Sequence, residues 1–105
     1  MAIKRGNAPT TIPARLTIKG AGESNKLELT YFNRKSSEYD DKVAELKESS
    51  VPFLPSLVVF LVKEWDTDYS LSIEGVLELE DERSGICEAI LQGFWQARRI
   101  ELEKN

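Results

Sequence analysis

Asp66, Asp68 and Ser70 stand at alternate positions, the spacing with which a calcium loop offers its first three oxygen ligands. Such a loop then needs a glycine at its sixth position for a sharp turn and a bidentate glutamate at its twelfth. Leu71 and Leu77 occupy those places, so the segment reads as a solvated, capped loop. Gly20-Ala21-Gly22 is a fragment of a phosphate-cradling loop, but it joins two strand-like stretches where a cradle needs a helix N-terminus. Acids are plentiful, yet no spacing sets two of them in an apolar cleft, as glycoside hydrolysis requires. Cys87 lies beside Ile86 in a helical pattern and reads as a small core residue. The chain has no histidine and one cysteine. That excludes an imidazole base or ligand, a Ser-His or Cys-His pair, an internal disulfide and any multi-cysteine zinc site. The expectation is a protein that is not an enzyme, holds no metal or cofactor, and works through its surface.

The rest of the composition bounds that surface. A chain of 105 residues is one ordinary domain, and 41% hydrophobic with 30% charged residues is usual for a globular protein. The net charge of −4 conceals an uneven distribution. Residues 1–20 carry Lys4, Arg5, Arg15 and Lys19 and no acid, whereas nine acids lie within 64–88 against Arg83 alone. An acidic skin disfavours phosphate backbones and anionic membranes, so neither nucleic acid nor membrane is an expected partner. The first residues contain no signal-like apolar run. The longest such run, Leu57–Val62, is six residues, far short of the roughly 20 that span a bilayer. A lone thiol fits a reducing cytoplasm.

Periodicity supplies the elements. Residues 1–13, broken by Gly6, Asn7, Pro9 and Pro13, read as an irregular basic arm before a single domain over 14–105. Leu16 and Ile18 alternate with polar residues, as do Leu27, Leu29 and Tyr31, predicting a β-hairpin over 14–32 with one apolar face. From 36 to 102 the period is helical. Tyr39, Val43 and Leu46 define a first helix with Ser36 or Ser37 as its cap. Pro55 suits the start of a second helix running through Leu57–Val62 to Trp65, although its valines would also suit a buried strand. Ser72 caps a short helix over 73–80, and a last helix runs from about Ser84 to Leu102. The predicted class is α+β: an N-terminal hairpin followed by about four helices, with an all-α C-terminal half.

The informative feature is apolar excess. The segment Phe53–Trp65 is hydrophobic on nearly every side, and such a helix must be covered by several neighbours. Phe94 and Trp95 are adjacent on a helix, point about 100° apart, and cannot both enter one narrow seam. Either the hairpin and the other helices cover all of this, or part of it faces a subunit or partner. The candidate contact residues are Phe53, Leu57, Phe60, Leu61, Trp65, Phe94 and Trp95.

The stretch from Phe53-Leu54-Pro55 through Val59-Phe60-Leu61-Val62-Lys63-Glu64-Trp65-Asp66 is similar to one in the tail assembly chaperones of long-tailed bacteriophages. The same holds for Ser72-Ile73-Glu74-Gly75-Val76-Leu77, for Ile86–Trp95, and for the closing Arg98-Arg99 and Glu103-Lys104-Asn105. The resemblance covers about residues 53–105 and rests on order and spacing; where the family has a Pro-Gly step before the last helix, this chain has Ser84-Gly85. Self-association into a homo-oligomer, which multiplies weak contacts, is expected of such an apolar surface; the resemblance implies a non-catalytic protein of the host cell cytoplasm, absent from the mature virion. Such a protein binds the tape-measure protein, keeps it soluble and recruits tail-tube subunits. Two other surface-borne roles suit the same sequence: a structural tail or head–tail joining component, and an acidic binding inhibitor.

Overall fold

In the computed structural model, residues 2–103 are described. Met1 of the basic arm and Lys104 and Asn105 of the closing motif lie outside them. The element order is β1 (Thr11–Gly20), β2 (Glu23–Phe32), α1 (Ser36–Lys47), α2 (Phe53–Leu61), β3 (Val62–Trp65), α3 (Ile73–Glu82) and α4 (Ile86–Arg98). The class is α+β, with the predicted hairpin followed by four helices.

The hairpin closes on a two-residue turn, Ala21-Gly22, with φ of 50° and 82°. Two positive φ values match the right-handed twist of the flanking strands, which is why the turn is tight and Glu23–Asn25 already belong to β2. Pairing runs from Gly20↔Glu23 to Thr11↔Phe32, so β1 begins inside the segment expected to be an irregular arm. The arm is tied down just beforehand: Thr10 O accepts from Asn33 N at 2.9 Å, and Pro9 O accepts from the Asn33 amide at 2.7 Å. Ile12, Ala14, Leu16 and Ile18 of β1 share the inner face with the buried Leu27, Leu29 and Tyr31 of β2.

The second helix is shorter than expected, and the C-terminal half is not all-α. The chain leaves α2 at Leu61 and enters β3 at once. There it pairs antiparallel with β2 through Leu29↔Trp65, Thr30↔Glu64 and Tyr31↔Val62, with a bulge at Lys63. The reason is backbone demand: the hairpin leaves one whole edge of β2 unpaired, and β-branched Val62 suits a pleat better than another helical turn. Asp66 extends the ladder by one step, its N–H donating to Glu28 O at 3.0 Å and its carboxylate accepting from Glu28 N at 3.1 Å.

Helices α4 and α2 pack on the strands, α1 packs on α2, and α3 packs on α2 and α4, giving a flat particle of 45 × 36 × 19 Å. Gly93 lets α4 sit close: a Cβ there would stand 2.7 Å from both Leu16 Cδ2 and Tyr31 Oη. Tyr31, fully buried, donates its hydroxyl to Ile90 O at 2.7 Å and so fastens the sheet to α4. Helix α2 is enclosed by α1, α3, α4, β2 and β3, which is how a helix apolar all round is accommodated in so short a chain. Leu57, Val58 and Leu61 are essentially inaccessible, each worth about 1.5–3 kcal/mol of burial.

The helix ends depart from the sequence reading in detail. Helix α1 starts at Ser36, and its leading turn is closed by the Glu38 carboxylate accepting from Lys35 N at 2.8 Å, so neither serine is the cap. Helix α2 starts at Phe53 with Pro52 as the cap residue; Pro55 sits within the first turn, where a missing N–H breaks no helical bond. Ser72 does cap α3, its Oγ accepting from Gly75 N at 3.1 Å. Helix α4 stops at Arg98, because Ile100 and Leu102 lie beyond any surface they could bury and are 94% and 93% exposed.

Candidate functional site

The seven candidate contact residues do not form one surface. Leu57, Leu61 and Phe94 are fully buried inside the domain. Phe60 and Trp65 are half-buried and committed to local contacts. The Phe60 ring lies under the Arg34 guanidinium at 4.1 Å, with Lys42 Nζ at 5.5 Å, and its carbonyl accepts from Arg34 Nε at 3.0 Å. Trp65 donates Nε1–H to Tyr69 O at 3.0 Å, pinning the loop between β3 and α3. Phe53 and Trp95 remain on the outside, 37% and 40% exposed.

Phe94 and Trp95 divide as their angular separation requires. Phe94 points into the core and meets Tyr31 edge-on at 5.5 Å. Trp95 points out over α1, edge-on to Tyr39 at 4.9 Å and to Phe94 at 5.0 Å. An indole held by two other rings is a rigid contact that loses little conformational entropy on binding. Sequence reasoning gives neither Arg34 nor Tyr39 a place at this surface, because their partners lie far along the chain and leave no local spacing signal.

The acids of 64–88 form an exterior. Glu64, Asp66, Asp68, Glu74, Glu78, Asp81, Glu82 and Glu88 are all exposed. The ninth, Glu80, is structural, since its carboxylate accepts from Gly85 N at 2.7 Å and Cys87 N at 3.0 Å and so closes the N-terminus of α4. Burial by itself would raise its pKa, but these two N–H donors outweigh that and hold it below the usual carboxylate range. Cys87 is fully buried, and burial, with the Glu80 carboxylate nearby, pushes its thiol up to about 12, so no thiolate is on offer at neutral pH. Arg83 bonds Glu23 at 2.7 Å and so joins the hairpin turn to the α3–α4 corner.

The calcium-like spacing is put to other uses. Asp66 serves the β2 ladder, Thr67 Oγ1 accepts from Tyr69 N at 3.1 Å, and Ser70 Oγ pairs with the capping Ser72 Oγ at 3.1 Å. Among the described residues no group of three or more Cys, Asp and Glu side chains converges as a metal site. No helix among them is long and apolar enough to cross a membrane. Among the described residues one polar group is out of place: Ser56 Oγ is buried with no hydrogen-bond partner, beside a groove of about 330 Å³ lined by Leu46, Val51, Val59, Phe60 and Ile73.

Compared with known protein families, with curated proteins and with solved structures, the chain matches none.

Proposed function

We propose that this chain is a tail assembly chaperone of a long-tailed bacteriophage. It binds the tape-measure protein, keeps it soluble and recruits tail-tube subunits in the host cytoplasm, without catalysis, and is left out of the finished particle. The observation that carries this reading is the presence of outward aromatic groups, Phe53 on α2 and the ring-held Trp95 on α4, together with the exposed acids of 64–88. A long amphipathic client needs apolar contact to hold it and like charge to keep the complexes dispersed. The order and spacing of residues 53–105, which resemble that family, point the same way. Because most of the apolar excess is spent inside the fold, the client-binding role falls on Phe53 and Trp95 and not on the whole 53–65 segment.

The test is co-expression with the tape-measure protein of the same phage, scored by the soluble fraction of that protein. Phe53→Asp with Trp95→Lys should leave the chaperone folded and lower that fraction at least threefold. A folded double variant that protects as well as the parent removes these residues from the proposal. Mass spectrometry of purified particles addresses the role itself: the chain should be absent, and its presence at stoichiometric level would make it a structural tail component.

A further inference from the structure

Among the described residues, strand β1 has one edge with no partner. The tight turn fixes which of its groups are spent. Gly20 and Glu23 flank a two-residue loop and exchange both backbone hydrogen bonds, and the pattern then alternates, so that the even-numbered residues of β1 bond to β2. The Thr10 O to Asn33 N bond, at the far end, obeys the same parity. The odd-numbered residues therefore aim their backbone groups away from the sheet. Pro13 lacks the donor, which leaves the N–H and C=O groups of Arg15, Thr17 and Lys19 as a free run.

That run has a chemical character on each side. On the outer sheet face it carries Arg15 and Lys19, with Lys26 reaching Thr17 Oγ1 at 3.2 Å; the neighbouring acid Glu28 pairs with Arg15, and Glu64 lies two strands away opposite Thr30. On the inner side the half-buried Leu16 and Ile18 meet Ala89, Gln92 and Gly93 of α4 across a groove of about 290 Å³. A strand added here would want acids on one face and apolar residues on the other.

The chain itself contains such a strand. After α4 the backbone turns extended, with Arg99 at φ −70° and ψ 128°, and Ile100-Glu101-Leu102-Glu103 alternates apolar and acidic. Ile100 and Leu102 touch nothing in the domain. Ile100–Glu103 fits within the Arg15–Lys19 run and leaves Arg99, which shares the face of the two acids, outside the ladder beyond Lys19.

We propose that the tail 100–103 of one copy adds as a fourth strand to the β1 edge of a second copy. Glu101 and Glu103 lie along the Arg15–Lys19 row, and Ile100 and Leu102 fill the groove between β1 and α4. Main-chain bonds supply the affinity, and the alternating side chains set the register. A β1–β1 pairing is the poorer solution, because it interleaves two rows of like charge and sets Pro13 in the ladder. Reciprocal exchange between two copies covers both edges and closes the assembly at a dimer; one-way exchange builds larger species. The inference stands on β1 and the tail alone and does not depend on the function proposed above.

The experiment measures mass against concentration for the full-length chain by light scattering and sedimentation. The parent should exceed monomer mass in a concentration-dependent way. Three variants test the contact: Glu101→Lys with Glu103→Lys, Arg15→Glu with Lys19→Glu, and Thr17→Pro, which removes a central edge donor without touching the core. Each should move the association midpoint at least tenfold higher, and the four charge reversals combined in one chain should bring it back. Circular dichroism guards against misfolding. A parent that stays monomeric at all concentrations overturns the proposal, including the case where tail amides are protected in the monomer because the tail folds onto its own edge. So does association that all three variants leave unchanged.

Discussion

Gly93→Ala measures how tightly α4 is pressed on the sheet. In an isolated helix, replacing glycine by alanine gains about 1 kcal/mol. Here the added Cβ would lie 2.7 Å from Leu16 Cδ2 and 2.7 Å from Tyr31 Oη. The Leu16 methyls end a flexible side chain in a half-buried strand and can give way. The Tyr31 hydroxyl cannot, because it is buried and bonded to Ile90 O at 2.7 Å. Overpacking of this kind costs about 1–3 kcal/mol, so the expected gain is cancelled and the net change should be a loss of about 0–2 kcal/mol. In a domain of this size that lowers the melting temperature by at most about 15 °C, where an unobstructed helix position would raise it by about 4–8 °C. The assay is urea and thermal unfolding, followed by circular dichroism, on the parent, Gly93→Ala, Tyr31→Phe and the double variant. Tyr31→Phe alone should cost about 1 kcal/mol for the lost hydrogen bond. In its presence the alanine should cost about 0.5 kcal/mol less, or better, since one of the two obstructing groups is gone. If Gly93→Ala stabilises the protein, or costs the same with and without the hydroxyl, the close approach of α4 to the sheet is refuted.

Three further outcomes are expected from equilibrium unfolding. Glu80→Gln should lower stability at pH 7 by about 0.5–2 kcal/mol, as loss of a helix cap does. Because the folded state holds the Glu80 pKa down, its contribution is present above the ordinary carboxylate value and fades as pH falls through the lowered one. The gap between parent and variant should therefore narrow below about pH 4, and a gap that widens there contradicts the assignment. Ser56→Ala removes an unpartnered buried hydroxyl and should leave stability unchanged or raise it by about 1 kcal/mol; a clear loss means the hydroxyl has a partner after all. Gly75→Ala would put a Cβ 1.9 Å from the Ser70 carbonyl oxygen, a backbone atom that cannot step aside. It should cost about 3 kcal/mol or more, and a neutral result would show that the 66–72 loop does not cross α3 there.

What was legible in the sequence followed from local spacing. Alternation in Leu16–Ile18 and Leu27–Tyr31 is enough to define a hairpin, and Ser72 announces α3 because a cap acts within three residues. The valines of 57–62 left helix and strand both open, and the place where one gives way to the other was hidden because its cause is remote: nothing near Val62 reports that the far edge of β2, some thirty residues earlier, lacks a partner. The same limit applied to the candidate surface. An apolar-all-round helix announces that it must be covered, but only the packing of five other elements around α2 decides that the covering is internal. The tail carried a readable signal that a competing one masked. Ile100 falls in step with the helical stripe of α4, yet Ile100-Glu101-Leu102-Glu103 also has a period of two.

The fastening of Tyr31 to Ile90 sets the timing of folding during synthesis. The hairpin is complete as soon as Phe32 has left the ribosome, but the helix that covers much of its apolar face ends only at Arg98. At an ordinary pace of about 5–20 residues per second the sheet waits on the order of ten seconds with that face uncovered. During that interval the apolar face is open to other chains, while the charged, proline-bearing edge of β1 discourages direct β1–β1 pairing between nascent copies.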